Sequence, residues 1–370
     1  MTEGLRQLVV EGFASLRSVE LWPGRMTVLI GPNGSGKSNV LRVFRLLEEL
    51  RRGALQRFVG SSGGAAALLH YGPKKTKLLK VAVSFGTENR FDWYEAQMEF
   101  ASGDRLQLVS ESLADVRDAE NETARLEEPF RTGPWESGLK VARAYLTTAE
   151  RVDGWLAGMR HFHFHDTSMN AALRTQAKRV DDRELHSDGG NLAALLYRLY
   201  SSNAPEEQSA LRRINQLVCR VAPAVRELVP VLDSSDSVRL DWLDDRGERF
   251  AVHQLSDGTL RAIALVTALA QPSEWLPKLI SIDEPELGLH PAAIQVIADL
   301  ARSISHRTQV IFATQSMAFL DHFEASEVVV AEREDGATVL RRFDERELAS
   351  WLEDYSLSEI FEKGVLGGRP

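Results

Sequence analysis

The 370-residue chain carries a single cysteine, Cys219. That excludes an intramolecular disulfide and a cysteine-rich metal site, and a lone thiol fits a reducing compartment. Long apolar runs are missing too. LRAIALVTALA breaks at Gln271–Pro272, well short of the roughly 18 residues a membrane span needs. The opening MTEGLRQLVVEGF has no basic stretch followed by an apolar core, so no secretory leader is expected. The expected setting is the cytoplasm, with no membrane partner. Positive charge is in deficit, 44 Lys and Arg against 53 Asp and Glu, and the net −9 argues against a surface that coats nucleic acid as a whole. Neither an internal repeat nor a sustained heptad pattern is present. What is present, 44% hydrophobic and 26% charged residues, is ordinary for a globular chain able to build a large core.

Periodicity then divides the chain. LRQLVVEGF and VELW alternate as strands, and RMTVLI is a compact apolar run ending on Gly31. Beyond Ser38 the period turns helical, with Val40, Leu41, Phe44, Leu47 and Leu50 on one face. Gly60 to Ala67 reads as a loop. LLKVAVSF, FDWYEAQMEF and DRLQLVS predict a small antiparallel sheet. From about Glu111 to Arg160 the composition is charged and helical, a short strand covers 161–165, and helix resumes from about Asn170 to Glu227. SVRLDWL and RFAVHQL return to strand character. Helix from Gly258, strand PKLISID, helix from Pro291, strand QVIFAT, helix and strand EVVVAE follow in βαβα rhythm. The expectation is an α/β fold in two parts, residues 1–110 and 231–370, split by a mainly helical insertion at 111–230.

Four segments carry chemistry. GPNGSGKS, Gly31 to Ser38, matches G-x-x-x-x-G-K-[ST] with a strand before it and a helix after it. Its glycines let backbone N–H groups line phosphates, Lys37 can reach the β- and γ-phosphates, and the Ser38 hydroxyl suits Mg²⁺. LISIDEPELGLHP puts Asp283 and Glu284 at the end of an apolar strand, where ligands meet open α/β sheets. Asp283 suits metal binding, and Glu284 suits a general base toward water. LSDGTLR, Leu255 to Arg261, is either a second nest of N–H groups for phosphate or a helix capped by Ser256 or Asp257. QVIFATQS ends in Thr314, Gln315 and Ser316, which read equally as a cap for the next helix.

In this order, GPNGSGKSN, LSDGTLR, DEPELGLHP and ATQS resemble the ABC-type ATPase heads of the RecF, OLD (overcoming lysogenization defect) and SMC families. FHFHDTS, DGGNLAALLYRL and the ending WLEDYSLSEIFEKGVLGGRP are similar to the narrower group of stand-alone, OLD-related AAA family ATPases. The resemblance implies a P-loop NTPase of ABC type with an antiparallel β subdomain, binding ATP and Mg²⁺. Asn33, Gly34, Ser35, Gly36, Lys37, Ser38 and Asn39 would hold the nucleotide, Ser38 and Asp283 the metal, and Glu284, Lys37 and Gln315 would act in hydrolysis. It also implies an ATP-dependent homodimer in which Ser256 and Gly258 contact the γ-phosphate bound to the partner subunit's Lys37. Two departures stand out. The switch position has Gln315 where a histidine is common, so it can orient water but not accept a proton. The usual glutamine of the Mg²⁺-sensing loop is not evident, with His165, Asp166 and Thr167 at the end of the HFHFH strand as the first candidates and Gln97 as the second.

Other features are less specific. His161, His163 and His165 alternate toward one face, either as polar residues near the nucleotide or as metal ligands. Residues 40–80 hold nine Lys and Arg against Glu48 and Glu49, either a DNA-facing surface or a solvated helix face. The resulting expectation is an ATP-driven switch in DNA repair or in defence against mobile elements, acting with DNA and a separately encoded nuclease. A transporter's nucleotide-binding subunit and a regulator that scarcely hydrolyses ATP are the alternatives.

Overall fold

The computed structural model describes residues 3–117, 124–127, 130, 133–343, 351 and 353–364. Gly4–Phe13 (β1) folds back as Leu16–Leu21 (β2) through a turn at Ala14, whose left-handed conformation (φ 49) the reversal requires. Met26–Ile30 (β3) then leaves for a second sheet. Lys37–Arg52 (α1) follows, started at Gly36 and stopped at Gly53, both in the left-handed region. Leu55–Ser61 (α2) and Ala65–Leu68 (α3) are short. Leu78–Gly86 (β4), Phe91–Ala101 (β5), Arg105–Val116 (β6) and Ala124–Glu127 (β7) complete an antiparallel sheet in the order β2-β1-β4-β5-β6-β7.

Leu139–Ala142 (α4) and Thr147–Ala157 (α5) lead into Met159–Phe162 (β8). Ala177–Lys178 (β9), Leu192–Ser201 (α6) and Pro205–Val221 (α7) come next. Glu227–Leu232 (β10), Ser237–Leu243 (β11) and Arg249–Ala251 (β12) form a small antiparallel sheet to which β9 adds. The remainder alternates: Asp257–Ala270 (α8), Leu279–Asp283 (β13), Pro291–Ile304 (α9), Gln309–Thr314 (β14), Met317–Leu320 (α10), Val328–Glu334 (β15), Ala337–Arg342 (β16) and Leu357–Glu362 (α11). The central sheet runs β16-β15-β3-β14-β13-β8, parallel except for the β15–β16 hairpin.

This sheet is a wall between two cores, which is why its strands are apolar throughout. Val28, Ile280, Ile282, Val310 and Phe312 face a core filled by α6, α7, α8 and α9. Leu29, Ile311 and Ala313 face the other way, toward α1 and the antiparallel sheet. The predicted face of α1, Val40 to Leu50, is buried there in full. The α/β P-loop architecture with an antiparallel subdomain is thus the observed one.

Several local expectations change. The Gly60–Ala67 stretch is not all loop: α2 runs through Ser61, and α3 begins at Ala65 after a turn at Gly63 and Gly64. Among the described residues none from Glu111 to Gly138 is helical: β6 continues to Val116 and α4 begins only at Leu139. The first charge of that stretch, Glu111, is a buried carboxylate. Glu111 accepts hydrogen bonds from Tyr94 (2.7 Å), Ser137 (2.6 Å) and the Gly138 N–H (2.7 Å) inside the sheet. The strand expected at 161–165 is β8, shifted to 159–162, since the His163 N–H leaves the ladder for the Ser187 carbonyl. RFAVHQL is strand only at β12 and then turns into a 3₁₀ turn at Val252–Gln254. β8 also pairs with β13, so the insertion supplies a strand to the central sheet.

Gln309 stitches the two large sheets together. Its buried amide accepts from the Leu5 N–H (2.6 Å) and donates to the carbonyls of Leu5 (2.9 Å) and Gly24 (3.2 Å). Gln309→Leu would leave three backbone groups without partners, at a cost of roughly 2–4 kcal/mol. A urea unfolding midpoint that drops with an unchanged slope is the expected result.

Candidate active site

The apolar strand β3 delivers the phosphate loop to the C-terminal edge of the central sheet. Gly34 and Gly36 sit at φ 78 and 104, where other residues are strained. Gly36 also has no room for a side chain, since a Cβ would strike the Thr338 hydroxyl. Lys37 is buried and folds back to donate to the carbonyls of Gly31 (2.6 Å) and Pro32 (2.9 Å). Burial pushes its pKa down, opposed by the negative charges of Asp283, Glu284 and Glu286. Asn33, Gly34 and Ser38 are exposed at the mouth of the loop. Asn39 and Ser35 are used by the frame instead. The Asn39 amide donates to Ser15 Oγ (2.8 Å), Ser15 in turn reaches Thr338 Oγ1 (2.7 Å), and Thr338 donates to the Ser35 carbonyl (2.8 Å). Because the Thr338 proton is committed to Ser35, Ser15 must be the donor in the middle link.

Two strands away, β13 ends on Asp283, which is buried and whose Oδ1 has no hydrogen-bond partner. An orphaned buried carboxylate oxygen is costly unless a cation completes it, so this position fits a metal ligand. Glu284 follows with φ 46, an unusual conformation for a non-glycine residue, and its N–H is tied to the Ala313 carbonyl (2.8 Å). Gln315, after β14, is exposed and donates to Glu284 Oε1 (3.4 Å). His165 Nε2 lies 3.2 Å from the Asp283 carbonyl and 3.9 Å from Glu284 Oε2. The carbonyl can only accept, so Nε2 carries the proton. Of the residues considered for the Mg²⁺-sensing position, His165 is therefore at the acids. Asp166 instead caps the Ser168 N–H, and the carbonyl of Thr167 is held by Arg174. Gln97 lies mid-strand in β5, donating to Glu95. A third acid, Glu286, escaped the sequence reading. Burial raises its pKa, and Thr314 donates to its Oε1 (2.6 Å).

The LSDGTLR turn caps α8 as local chemistry suggested: the Ser256 hydroxyl accepts the Thr259 N–H (3.2 Å) and faces solvent. Gly258 packs so closely on the loop after β13 that a Cβ would collide with the Gly288 carbonyl oxygen. Two arginines hold this turn. Arg261 donates to the carbonyls of Phe164 (2.9 Å), His165 (2.7 Å) and Leu287 (3.2 Å). Buried Arg174 reaches Thr167, Val252, Leu255 and Asp257. Turn, acids and His165 thus form one framework, which no motif spacing announces.

The basic stretch at 40–80 is neutralised only in part, since Arg42, Arg45 and the exposed Lys74, Lys75 and Lys77 have no carboxylate partner among the described residues. Arg51 pairs with Asp153, Arg52 with Glu48, Arg57 with Glu49, and Lys80 with Glu11 and Glu95. Arg42 and Arg45 lie over the Phe58 ring. The histidines do line up, with His163 and His165 rings 3.9 Å apart and His161 Nδ1 3.1 Å from Ser281 Oγ. Among the described residues no cluster of metal-ligating side chains is found. Burial, aided by His163, Arg45 and His165, pushes the His161 pKa down to about 4 from 6.5. Between those values the unfolded chain binds the extra proton, so stability falls as pH drops through that window. His161→Gln should flatten the fall in melting temperature between pH 6.5 and 4, recovering about 2–3 kcal/mol at the acid end.

No curated protein matches the chain. Among solved structures, the Pyrococcus furiosus Smc head domain with an extended coiled coil, bound to the C-terminal domain of ScpA, is 14% identical. The match covers 95% of this chain and 99% of that one with a TM-score of 0.63. An SmcHead bound to the C-winged helix domain of ScpA is 16% identical over 94% and 99%, with a TM-score of 0.61. The Pyrococcus yayanosii Smc head domain with a coiled coil and joint is 12% identical over 95% and 99%, at 0.55. At such identities the likeness is one of fold. Residues 26–321 match AAA_21, described as "AAA domain, putative AbiEii toxin, Type IV TA system". With a phosphate loop, paired acids and an Smc-head fold in one chain, the protein belongs to the AAA_21 family of ATPase domains.

Proposed function

We propose that the chain binds and hydrolyses ATP as a homodimeric switch, each site being completed by the other subunit's Ser256–Gly258 turn. The observation that supports this most is the meeting of Lys37, Asp283, Glu284, Gln315 and His165 at one sheet edge. On ATP arrival Lys37 would exchange the Gly31 and Pro32 carbonyls for the β- and γ-phosphates. Ser38 and Asp283 would hold Mg²⁺, which when bound neutralises charge on the phosphate oxygens. Glu284 takes the proton of the attacking water, which Gln315 orients through its amide. Since glutamine accepts no proton, Glu284 carries that task alone and turnover is expected to be slow.

Exposure of Ser256 on a turn backed by Arg174 and Arg261 supports a surface that docks on a second copy. The proposed setting is DNA repair or defence against mobile elements, with DNA and a separate nuclease as partners. The family's description, which names a toxin and a TA system, agrees with defence. Smc heads solved with ScpA support a separate protein docking on such a fold. Ion pairs take up four of the nine cations in residues 40–80 and leave Lys74, Lys75 and Lys77 exposed, so ATP-dependent retention of DNA on filters is the check. Equal retention with and without ATP counts against it.

Glu284→Gln should cut phosphate release by about a hundredfold or more while leaving ATP binding intact, and should trap a dimer visible by light scattering. Equal release by variant and wild type would falsify the role of Glu284. A subunit-mixing assay tests the shared site. Lys37→Ala and Ser256→Arg should each be inactive alone, yet an equimolar mixture should regain about a quarter of wild-type activity through heterodimers with one intact site. An inactive mixture that nevertheless forms heterodimers would sink the two-subunit arrangement.

A further inference from the structure

The edge of the central sheet opposite the acids holds a cavity that ATP binding leaves unused. It measures about 460 Å³ and is lined by Leu5, Arg6, Trp22, Pro23, Arg25 and Gln309 among others. The strand starts place it. Just before β3, the Arg25 carbonyl accepts the Val310 N–H near the start of β14 (2.9 Å). From Gln309 to Gln315 the chain climbs the length of β14, about 20 Å. The cavity therefore lies at the far edge from Asp283, Glu284 and Gln315.

Its walls are mostly apolar, with two cations set into them. Arg6 Cζ lies 4.8 Å from the centre of the Trp22 ring and 4.3 Å from that of Phe91. Trp22 is 45% exposed, yet its backbone is tied down, since Arg342 donates to its carbonyl (2.9 Å). Arginines that serve this chain as ties spend their N–H groups on carbonyls, as Arg174, Arg261 and Arg342 do. Arg6 and Arg25 do not. Among the described residues neither side chain has a hydrogen-bond or ion-pair partner. Glu88 is the one carboxylate among the lining residues, and it is exposed.

A mostly apolar cavity of this size with a few charged donors has the form of a small-ligand site. Two unspent cations call for an anion. A guanidinium stacked on rings keeps its N–H donors in its own plane, where they match the two oxygens of a carboxylate. Leu5, Trp22 and Pro23 suit a carbon body behind that headgroup, which an inorganic anion lacks.

We propose that this cavity binds a small carboxylate with an aliphatic or aromatic body, its carboxyl group held by Arg6 and Arg25. The lining comes from β1, residues 22–25, the end of β4 and the start of β14. An occupant thus joins the two large sheets where Gln309 already stitches them. The assignment is independent of the ATP reading.

Ligand-observed NMR on the full chain tests it, with hexanoate and phenylacetate as probes and their carboxamides as controls. Both carboxylates should bind with a Kd of about 1 mM or tighter, and each amide about tenfold or more weaker. Arg6→Gln and Arg25→Gln should each weaken the carboxylates by about tenfold or more, while saturating ATP leaves them bound. If Arg6→Gln does not fold, Arg25→Gln carries the comparison. Carboxylates that bind no better than their amides overturn the assignment. So do wild-type affinity in the folded arginine variants and displacement by ATP, which would put the probes in the phosphate site.

Discussion

A buried ammonium must be held by something, and around Lys37 two sets of partners compete for it. In the structure it donates to the carbonyls of its own loop, while three carboxylates beyond β14 pull on the same charge. Desolvation makes each arrangement costly to leave half made. The loop glycines, the apolar strands that carry the acids and the frame of hydroxyls behind the loop all serve to keep these groups close without letting them collapse together. Asp283 is the counterpart: its orphaned oxygen is the deficit that a cation would fill, as Lys37 is the surplus that a phosphate would take. The site is charged with opposite signs on facing walls, and a polyphosphate with its metal matches both at once.

Much of this was legible in the chain because local spacing carried it. A phosphate loop needs its glycines and lysine within eight residues, and the strand and helix around it show in Met26–Ile30 and in the Val40–Leu50 face. Asp283 and Glu284 were found for the same reason, as a terminus to an apolar run. What stayed hidden is held by partners far apart in sequence. Ser15 and Thr338 meet across 323 positions, and Arg261 reaches backbone carbonyls near residue 165, where no side-chain pattern could reveal it. Glu286 was passed over because an acid in a PEL turn looks solvated until Thr314 and burial are seen. The misread helix at Glu111 has the same origin: a charge buried among Tyr94, Ser137 and Gly138 mimics a charge in water.

Histidine and glutamine have changed places relative to the expected pattern. Gln315 follows β14, where the resemblance implies a histidine, and His165 stands beside Asp283, where it implies a glutamine. Both reach Glu284, from the two sheet neighbours of β13, β14 and β8, and His165 also meets the Asp283 backbone carbonyl. The exchange leaves the number of polar groups around Glu284 intact and alters which of them can carry a proton.

The phosphate loop follows a strand, β3, whose two sheet neighbours both lie in the last quarter of the chain: Met26 faces Val310 and Val28 faces Val328. During synthesis the loop's glycines and lysine emerge early, attached to an apolar strand with neither edge covered. They cannot become a nucleotide site until the ribosome has passed β15. A chain cut short anywhere before Gln309 would carry the full signature of a phosphate loop and none of its geometry. The motif that announces this protein is therefore synthesised early and completed late.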